Sequence, residues 1–213
     1  MNKTTLQQTA YDLLKSRITS CEFQPGMFLN TVELQNLFGF SRTPIREALA
    51  RLEQDNLVNF YPQKGFVVSS VDLSTISAIY ETRSVIEPYI VVNYGHLVDK
   101  EELKRMATLF ESALTDETPS MALHMTYDDE FHALLRSACP NIYLVQVLKN
   151  ISAQAQRVRI LSRYAGMKLK RLCQEHIDIT ETMLAQNFAL AGKKTATHLA
   201  KARKNAFKAI SEQ

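Results

Sequence analysis

The chain has few of the residues that interrupt or cross-link a fold. Its 213 residues include six glycines, six prolines, three cysteines and no tryptophan. These glycines and prolines punctuate the chain and leave room for long helices between them, and no low-complexity tract appears. The cysteines, Cys21, Cys139 and Cys173, include no Cys-x-x-Cys pair. Neither a disulfide framework nor a cysteine zinc site is therefore indicated.

Long apolar runs are also missing. Apolar stretches such as residues 89–92 and 66–68 end well before the ~18 residues that span a bilayer. The first eight residues contain no apolar core of a secretory signal. Hydrophobic residues make up 46% and charged residues 22% of the chain, as in an average globular protein. We therefore expect a packed core, no membrane partner and a cytoplasmic location.

A strong excess of one charge sign is absent too, since the net charge is only +3. So small an excess does not establish a nucleic-acid partner by itself. The distribution is more informative, because residues 1–70 hold seven Lys or Arg against six Asp or Glu, whereas all five histidines follow residue 95. The two parts of the chain differ in chemistry, which favours two domains, residues 1–70 and 71–213.

Residues 1–70 carry apolar residues at helical spacing between clear stop signals. Pro25-Gly26 predicts a turn, and Gly39 is the residue type that ends a helix in the left-handed conformation. Thr43 is predicted to cap a third helix that begins at Pro44. The predicted helices cover about residues 6–20, 32–38 and 44–55.

Two β-rich runs, residues 57–61 and 66–69, follow these helices and predict a hairpin. Three helices and a hairpin in this order are typical of a winged helix-turn-helix, whose recognition helix enters the major groove of DNA. Arg42, Thr43 and Arg46 then lie on the outer surface of that helix. The residues expected to pack the second and third helices together are Leu34, Phe38, Ile45 and Leu49.

Beyond residue 71 the strand pattern disappears, and the periodicity predicts an antiparallel all-α bundle of about six helices. The fold class is therefore mainly α, with an N-terminal winged domain. Pro88 lies inside the first helix of the bundle and predicts a kink rather than a break. The predicted spans are residues 73–94, 101–114, 121–138, 142–161, 168–185 and 190–210.

A cluster of metal-ligand residue types lies in the helical part. Asp128 and His132 are four residues apart, so they share one helix face, and His176 and His198 lie on two later helices. Three imidazoles and one carboxylate suit Zn²⁺, Ni²⁺, Mn²⁺ or Fe²⁺. From the residues alone, an ordinary buried or exposed side chain is the better explanation of each histidine.

Two neighbours, Asp129 and His124, also lie within helical reach of this cluster. Asp129 is interpreted as solvated and His124 as a residue of the pocket rim or of the surface. His124 is the first substitute if one of the four predicted ligands does not take part.

The segment from Phe38 to Leu49 contains the run G-x-S-R-T-P-x-R-E-A-L and resembles the helix-turn-helix signature of the GntR family of bacterial transcription regulators. The resemblance implies that Ser41, Arg42, Thr43 and Arg46 contact operator DNA and that Lys64 and Gly65 at the wing tip reach the minor groove. The alternative is that Arg42 and Arg46 form ordinary surface ion pairs with Glu47 or Asp55.

The helical remainder resembles the ligand-binding domain of FadR-type regulators, called FCD. Its D-x-x-F-H, E-H and late-helix histidine motifs fall on Asp128, His132, His176 and His198, which implies that these four residues bind the metal. The likeness also implies that Arg83 holds the carboxylate of an effector. From residue 131 to 174 there are eight Lys or Arg and no Asp or Glu, which form either a positive cavity lip or a solvated face.

The function most in keeping with these patterns is a transcription regulator that binds a palindromic operator as a homodimer and responds to a small carboxylate effector. A metal-dependent enzyme that uses the Asp-His-His-His site is the alternative, because an open metal position can activate water or dioxygen. It leaves the first seventy residues unused. In a third interpretation the helical domain is a dimerisation module whose histidines are incidental.

Overall fold

A computed structural model describes residues 3–116, 120–162 and 169–212, which fall into two compact units. The first, called here the winged unit, comprises residues 1–72 together with residues 153–160. The second, the helical unit, comprises residues 73–152 and 161–213. No helix in the described ranges is both long enough and apolar enough to cross a membrane.

The winged unit contains α1 (Lys3–Thr19), α2 (Thr31–Phe38) and α3 (Arg42–Gln54). Asn30 caps α2 by accepting a hydrogen bond from the amide of Val32, and Gly39 ends it in the left-handed conformation at φ 69°. Ser41, not Thr43, is the N-cap residue of α3. The predicted cap is therefore wrong by two residues, and Pro44 is the third residue of the helix, where a missing N–H is still tolerated.

The predicted hairpin is confirmed as β2 (Val58–Tyr61) and β3 (Gly65–Val68). A further strand, β1 (Phe28–Leu29), pairs antiparallel with β3, so that the strand order is β1-β3-β2. Sequence patterns missed β1, because two residues show no alternation. The predicted packing of α2 on α3 is also confirmed, since Leu34, Ile45 and Leu49 lie in one buried cluster with Phe38 packed against it.

The helical unit contains all six predicted helices, five of them with ends within two residues of the expected ones. A short 3₁₀ turn, Gly95–Leu97, follows the first of them. The predicted start of the fifth helix at Lys168 lies outside the described residues. The observed helices are α4 (Leu73–Tyr94), α5 (Lys100–Thr115), α6 (Met121–Ser137), α7 (Ile142–Ser162), α8 (Leu169–Leu184) and α9 (Phe188–Ser211).

The long helix α4 continues through Pro88 to Tyr94 and packs closely on α9. Gly192 of α9 makes this approach possible, because a Cβ atom at Gly192 would lie 2.5 Å from Cγ2 of Val92 and 3.2 Å from the carbonyl oxygen of Pro88. The absence of a side chain at this one position lets the two backbones meet. Helices α5 and α8 form the other extensive contact of the unit.

Residues 153–160 of α7 belong to the winged unit and contribute a buried polar contact to it. The guanidinium of Arg157 is fully buried and donates to the hydroxyl of Ser69 at 2.9 Å and to Gln154 Oε1 at 2.6 Å. It also donates to the backbone carbonyl of Ser69, at the end of the wing. These bonds offset part of the cost of burying a charge.

Candidate metal centre and DNA-binding face

The start of α3 presents the polar side chains that the sequence assigned to DNA. Ser41, Arg42, Thr43 and Arg46 are all exposed. The hydroxyl of Ser41 makes no capping bond to its own helix. The backbone N–H groups of this first turn add a partial positive charge, which favours an anion such as a phosphate.

The two arginines of this face have no acidic partner among the residues that the structure describes. Asp55, one of the two carboxylates proposed to pair with them, instead lies 3.7 Å from the Lys15 ammonium and accepts a hydrogen bond from Tyr11. No ion pair joins Glu47 to Arg42 or Arg46 within the described ranges. The surface ion-pair alternative is therefore not observed, and both guanidiniums are available to a ligand.

The wing lies beside these arginines. Phe28, Phe60 and Gly65 line one groove together with Arg42 and Arg46. Gly65 has φ +88°, and a Cβ atom there would lie 3.2 Å from the ring of Phe28. The glycine is thus required by the hairpin turn and by the packing of β1 on β3. Lys64, next to it, is exposed at the wing tip.

The four predicted metal ligands come together inside the helical unit. Asp128, His132, His176 and His198 are all buried, and each offers one ligand atom within 4.8 Å of the ligand atoms of the other three. Helix α6 supplies the carboxylate and the first imidazole from one face, and α8 and α9 supply one imidazole each. The tertiary fold therefore converts three separate sequence segments into one cluster.

The imidazole of His176 is held in one orientation from both sides. Its ring stacks on Phe110 with centroids 4.4 Å apart and an interplanar angle of 10°. Its Nδ1 lies 2.9 Å from the backbone carbonyl oxygen of Leu172. A carbonyl oxygen can only accept, so Nδ1 carries the proton and donates. Burial lowers the pKa of His176, which favours the neutral ring.

Nε2, the other nitrogen of the neutral His176 ring, carries a lone pair and faces another acceptor. Nε2 of His176 lies 3.2 Å from Oδ1 of Asp128, and Nε2 of His132 lies 3.8 Å from the same oxygen. Two buried acceptors at this separation repel one another unless a proton or a cation lies between them. The centre of the cluster therefore has the electrostatic character of a cation site.

The other two histidines are oriented by carboxylates outside the cluster. Nδ1 of His132 lies 2.9 Å from Oε2 of Glu87 on α4, and Nδ1 of His198 lies 3.1 Å from Oε2 of Glu175 on α8. Both contacts leave Nε2 for the centre. A carboxylate or carbonyl behind each imidazole is the usual arrangement around a metal-binding histidine.

Glu87 and Glu175 were missed as orienting residues by sequence reasoning, although Glu175 lies beside His176 in the E-H motif. Burial alone would raise the pKa of Glu175, but hydrogen bonds from His198 and Lys201 lower it to about 2. Burial would likewise raise the pKa of Glu87, but Arg83 and His132 hold it well below its usual range. Both carboxylates are therefore ionised acceptors.

The donor set and its spacing fit a divalent transition metal. Ligand atoms about 2.1 Å from one ion are at most about 4.2 Å apart, so the 4.8 Å spread needs only a small contraction. Three imidazole nitrogens and one carboxylate oxygen leave further coordination positions open. His124 and Asp129 lie outside this set, and Nδ1 of His124 lies 3.5 Å from the thiol of Cys173.

Arg83, the predicted effector residue, is buried behind the cluster. Its side chain is about 5% exposed, and its Nε lies 2.6 Å from Oε1 of Glu87. A second, longer bond of 3.4 Å joins its Nη2 to Oε2 of the same carboxylate. Arg83 is therefore linked to His132 through Glu87.

Comparison with known families agrees with both units. The family described as "Bacterial regulatory proteins, gntR family" matches residues 6–68, and the FCD domain matches residues 78–201. The chain belongs to the GntR family. Its helical unit carries an FCD domain, and the expected winged and all-helical fold is confirmed.

Known GntR regulators match most of the chain. The HTH-type transcriptional regulator YdhC of Bacillus subtilis (strain 168) is 30% identical over 195 residues, covering 88% of this chain and 85% of YdhC. A crystal structure of a GntR regulator from Rhodococcus sp. RHA1 superimposes with a TM-score of 0.80 at 21% identity, covering 95% of this chain and 97% of the other.

The helical unit is also similar to a domain solved with zinc. The Zn²⁺-bound FCD domain of the regulator TM0439 has a TM-score of 0.57 at 19% identity, covering 68% of this chain and all of that domain. The families and relatives matched are transcription regulators, which gives no support to the enzyme alternative.

Proposed function

We propose that this GntR-family regulator binds a palindromic operator as a homodimer and that a small carboxylate effector, docking on a divalent transition metal, modulates this binding. The proposed ligands of the metal are Asp128, His132, His176 and His198. Such an ion, when bound, would offer an open position to a carboxylate oxygen. The observation that carries the proposal is the pair of buried acceptors, His176 Nε2 and Asp128 Oδ1, which face each other at 3.2 Å.

Three imidazole nitrogens and one carboxylate oxygen suit Zn, Ni, Mn or Fe, so the proposed metal is one of these four. The fold likeness to a zinc-bound FCD domain supports zinc as the first ion to test. The role of Arg83 is proposed in a modified form. The guanidinium of Arg83 is bonded to Glu87, so Arg83 fixes the carboxylate that orients His132. In this role Arg83 supports one wall of the effector site without contacting the effector.

The proposed operator contacts lie on α3 and on the wing. Arg42 and Arg46 can each bond bidentately to guanine, while Ser41 and Thr43 can reach phosphates at the start of the helix. Lys64 and Gly65 are proposed to enter the minor groove. The absence of internal ion partners for the two arginines among the described residues supports this role.

Dimerisation is proposed through the FCD domain. Val85, Tyr89 and Val92 recur along one face of α4, and all three are exposed, Val85 by 68%. An apolar stripe of this kind is typical of a surface that another chain covers. A single winged domain with little net charge also needs two half-sites for tight and specific binding.

Selection of bound sequences from random DNA tests this function. The full chain is incubated with and without Zn²⁺, and with or without a panel of small carboxylates, at one fixed salt concentration. We expect an enriched palindrome whose affinity changes when zinc and a carboxylate are both present. No enriched sequence would contradict the regulator, and an operator affinity that is independent of zinc and of every carboxylate would contradict the proposed response.

A further inference from the structure

The guanidinium of Arg83, which is linked to the cluster through Glu87, is not free to receive a ligand. Arg83 bonds Glu87 through two nitrogens, and Glu87 also lies 2.9 Å from Nδ1 of His132. A carboxylate that displaced Glu87 from Arg83 would leave a buried anion beside a second anion, which is strongly unfavourable. The effector must therefore meet a different positive group.

Arg136 is such a group. It lies four residues after His132 on α6, so both side chains leave the same face of the helix with their Cβ atoms roughly 6 Å apart. Its guanidinium is partly buried and makes no hydrogen bond or ion pair with any residue in the described ranges. Burial lowers the pKa of Arg136, and the nearby charge of Arg83 lowers it further while Glu87 opposes this effect.

The balance of charge around the cluster also calls for an anion. A divalent ion together with Arg83 and Arg136 would carry four positive charges, and the carboxylates Asp128 and Glu87 beside the cluster carry two negative charges. The charge of Glu175, the third carboxylate in contact with the cluster, is already balanced by Lys201. The excess of positive charge is then two. In a partly buried environment such an excess is offset most directly by a bound anion, because solvent screens it poorly.

We propose that Arg136 is the residue that binds the carboxylate of the effector, with Arg83 kept as the structural partner of Glu87. The inference rests on the proposed function of the FCD domain as an effector-binding domain. A carboxylate beside Arg136 would lie about one helical turn from His132, a separation that one small molecule with two acidic groups can span. The ligand class is therefore a short dicarboxylate or tricarboxylate.

The alternative is that Arg136 only complements the carbonyl groups at the end of α6, since it lies in the last turn of the helix. Calorimetric titration of the zinc-loaded full chain with acetate, succinate and citrate, at constant ionic strength and with sulfate as a nonspecific anion, separates the two. Arg136→Gln is compared with wild type and with Arg105→Gln, whose side chain is 48% exposed on α5.

We expect at least one of the polycarboxylates to bind wild type and Arg105→Gln equally and to lose about tenfold or more in affinity in Arg136→Gln. Zinc content is expected to be the same in all three proteins. Unchanged affinity in Arg136→Gln, or no carboxylate binding by the wild type beyond that of sulfate, overturns the assignment. A wild type that binds no zinc or no operator DNA would instead contradict the proposed function. Zinc content and operator binding are therefore measured on the same samples as carboxylate affinity.

Discussion

At the scale of single residues, the proposed metal centre depends on which nitrogen of each imidazole carries the proton. His132, His176 and His198 each place Nδ1 against an acceptor and leave Nε2 for the centre. The helical spacing of Asp128 and His132 is visible in the chain, and the resemblance to the FCD domain added His176 and His198 to the predicted ligands. The sequence did not supply Glu87 as an anchor, since this contact arises only when α4 packs on α6. The Leu172 carbonyl, by contrast, lies one turn before His176 on α8 itself.

His176 makes the stability of the metal-free protein depend on pH. Burial lowers its pKa below the ordinary value of 6.5, so the unfolded chain binds a proton more readily than the folded one. The stabilisation is therefore present above that pH and is lost as the pH falls below it. The pKa of Glu175 is lowered to about 2, so this carboxylate affects the stability only in a more acidic pH range.

In the presence of chelator, we expect the unfolding free energy of the wild type to fall as the pH is lowered from about 7.5 to 5.5. The same change of pH should lower the unfolding free energy of His176→Asn less steeply. Urea denaturation at several pH values measures both slopes. Equal slopes in the two proteins would contradict the assigned role of His176.

Arg46 is expected to contribute to DNA binding without supporting the fold, because its side chain is exposed and unpaired among the described residues. Arg46→Ala should weaken specific operator binding by about 1–3 kcal/mol and leave the melting temperature unchanged. Titration at fixed salt measures the affinity, and Arg105→Ala in the helical unit is the control. If Arg46→Ala binds the operator as tightly as that control, α3 is not the recognition helix.

At the scale of elements, the two N-cap residues of the helix-turn-helix differ in their hydrogen bonding. Asn30 bonds the amide of Val32 and stabilises α2, whereas Ser41 makes no capping bond at α3. Asn30→Ala should therefore lower the unfolding free energy by about 1 kcal/mol. Ser41→Ala should change it by less than about 0.5 kcal/mol yet weaken operator binding several-fold. The reverse pattern would show that Ser41 serves the fold and not the DNA.

The elements also show where sequence reasoning succeeds. The six helices of the FCD domain were predicted because each one repeats its apolar residues over several turns. The start of α3 was misplaced, since Ser41 and Thr43 are both good caps and only the backbone conformation distinguishes them. The strand β1 was missed because its two residues show no alternation, and because its pairing with β3 joins segments that lie far apart in the chain.

At the scale of the whole molecule, the exposed apolar face of α4 predicts self-association. Replacing Tyr89 with Glu places a charge in the proposed interface, and the dimer should dissociate at least about tenfold more readily. Thr108→Glu, an exposed position on α5, adds the same charge elsewhere and should have no effect. Light scattering over a concentration series measures the change. A wild-type monomer at micromolar concentration, with and without operator, would contradict the proposed assembly.

The most direct test of the account is the metal content of the purified full chain. Elemental analysis after incubation with Zn²⁺ and desalting is expected to give about one ion per chain for wild type and for the His96→Gln control, and almost none for the double variant His176→Gln/His198→Gln. The bound ion should also stabilise wild type by about 2.7 kcal/mol when its concentration is a hundredfold above Kd. A wild type that retains no metal, or a double variant that retains it fully, would contradict the assignment of Asp128, His132, His176 and His198 as a metal centre.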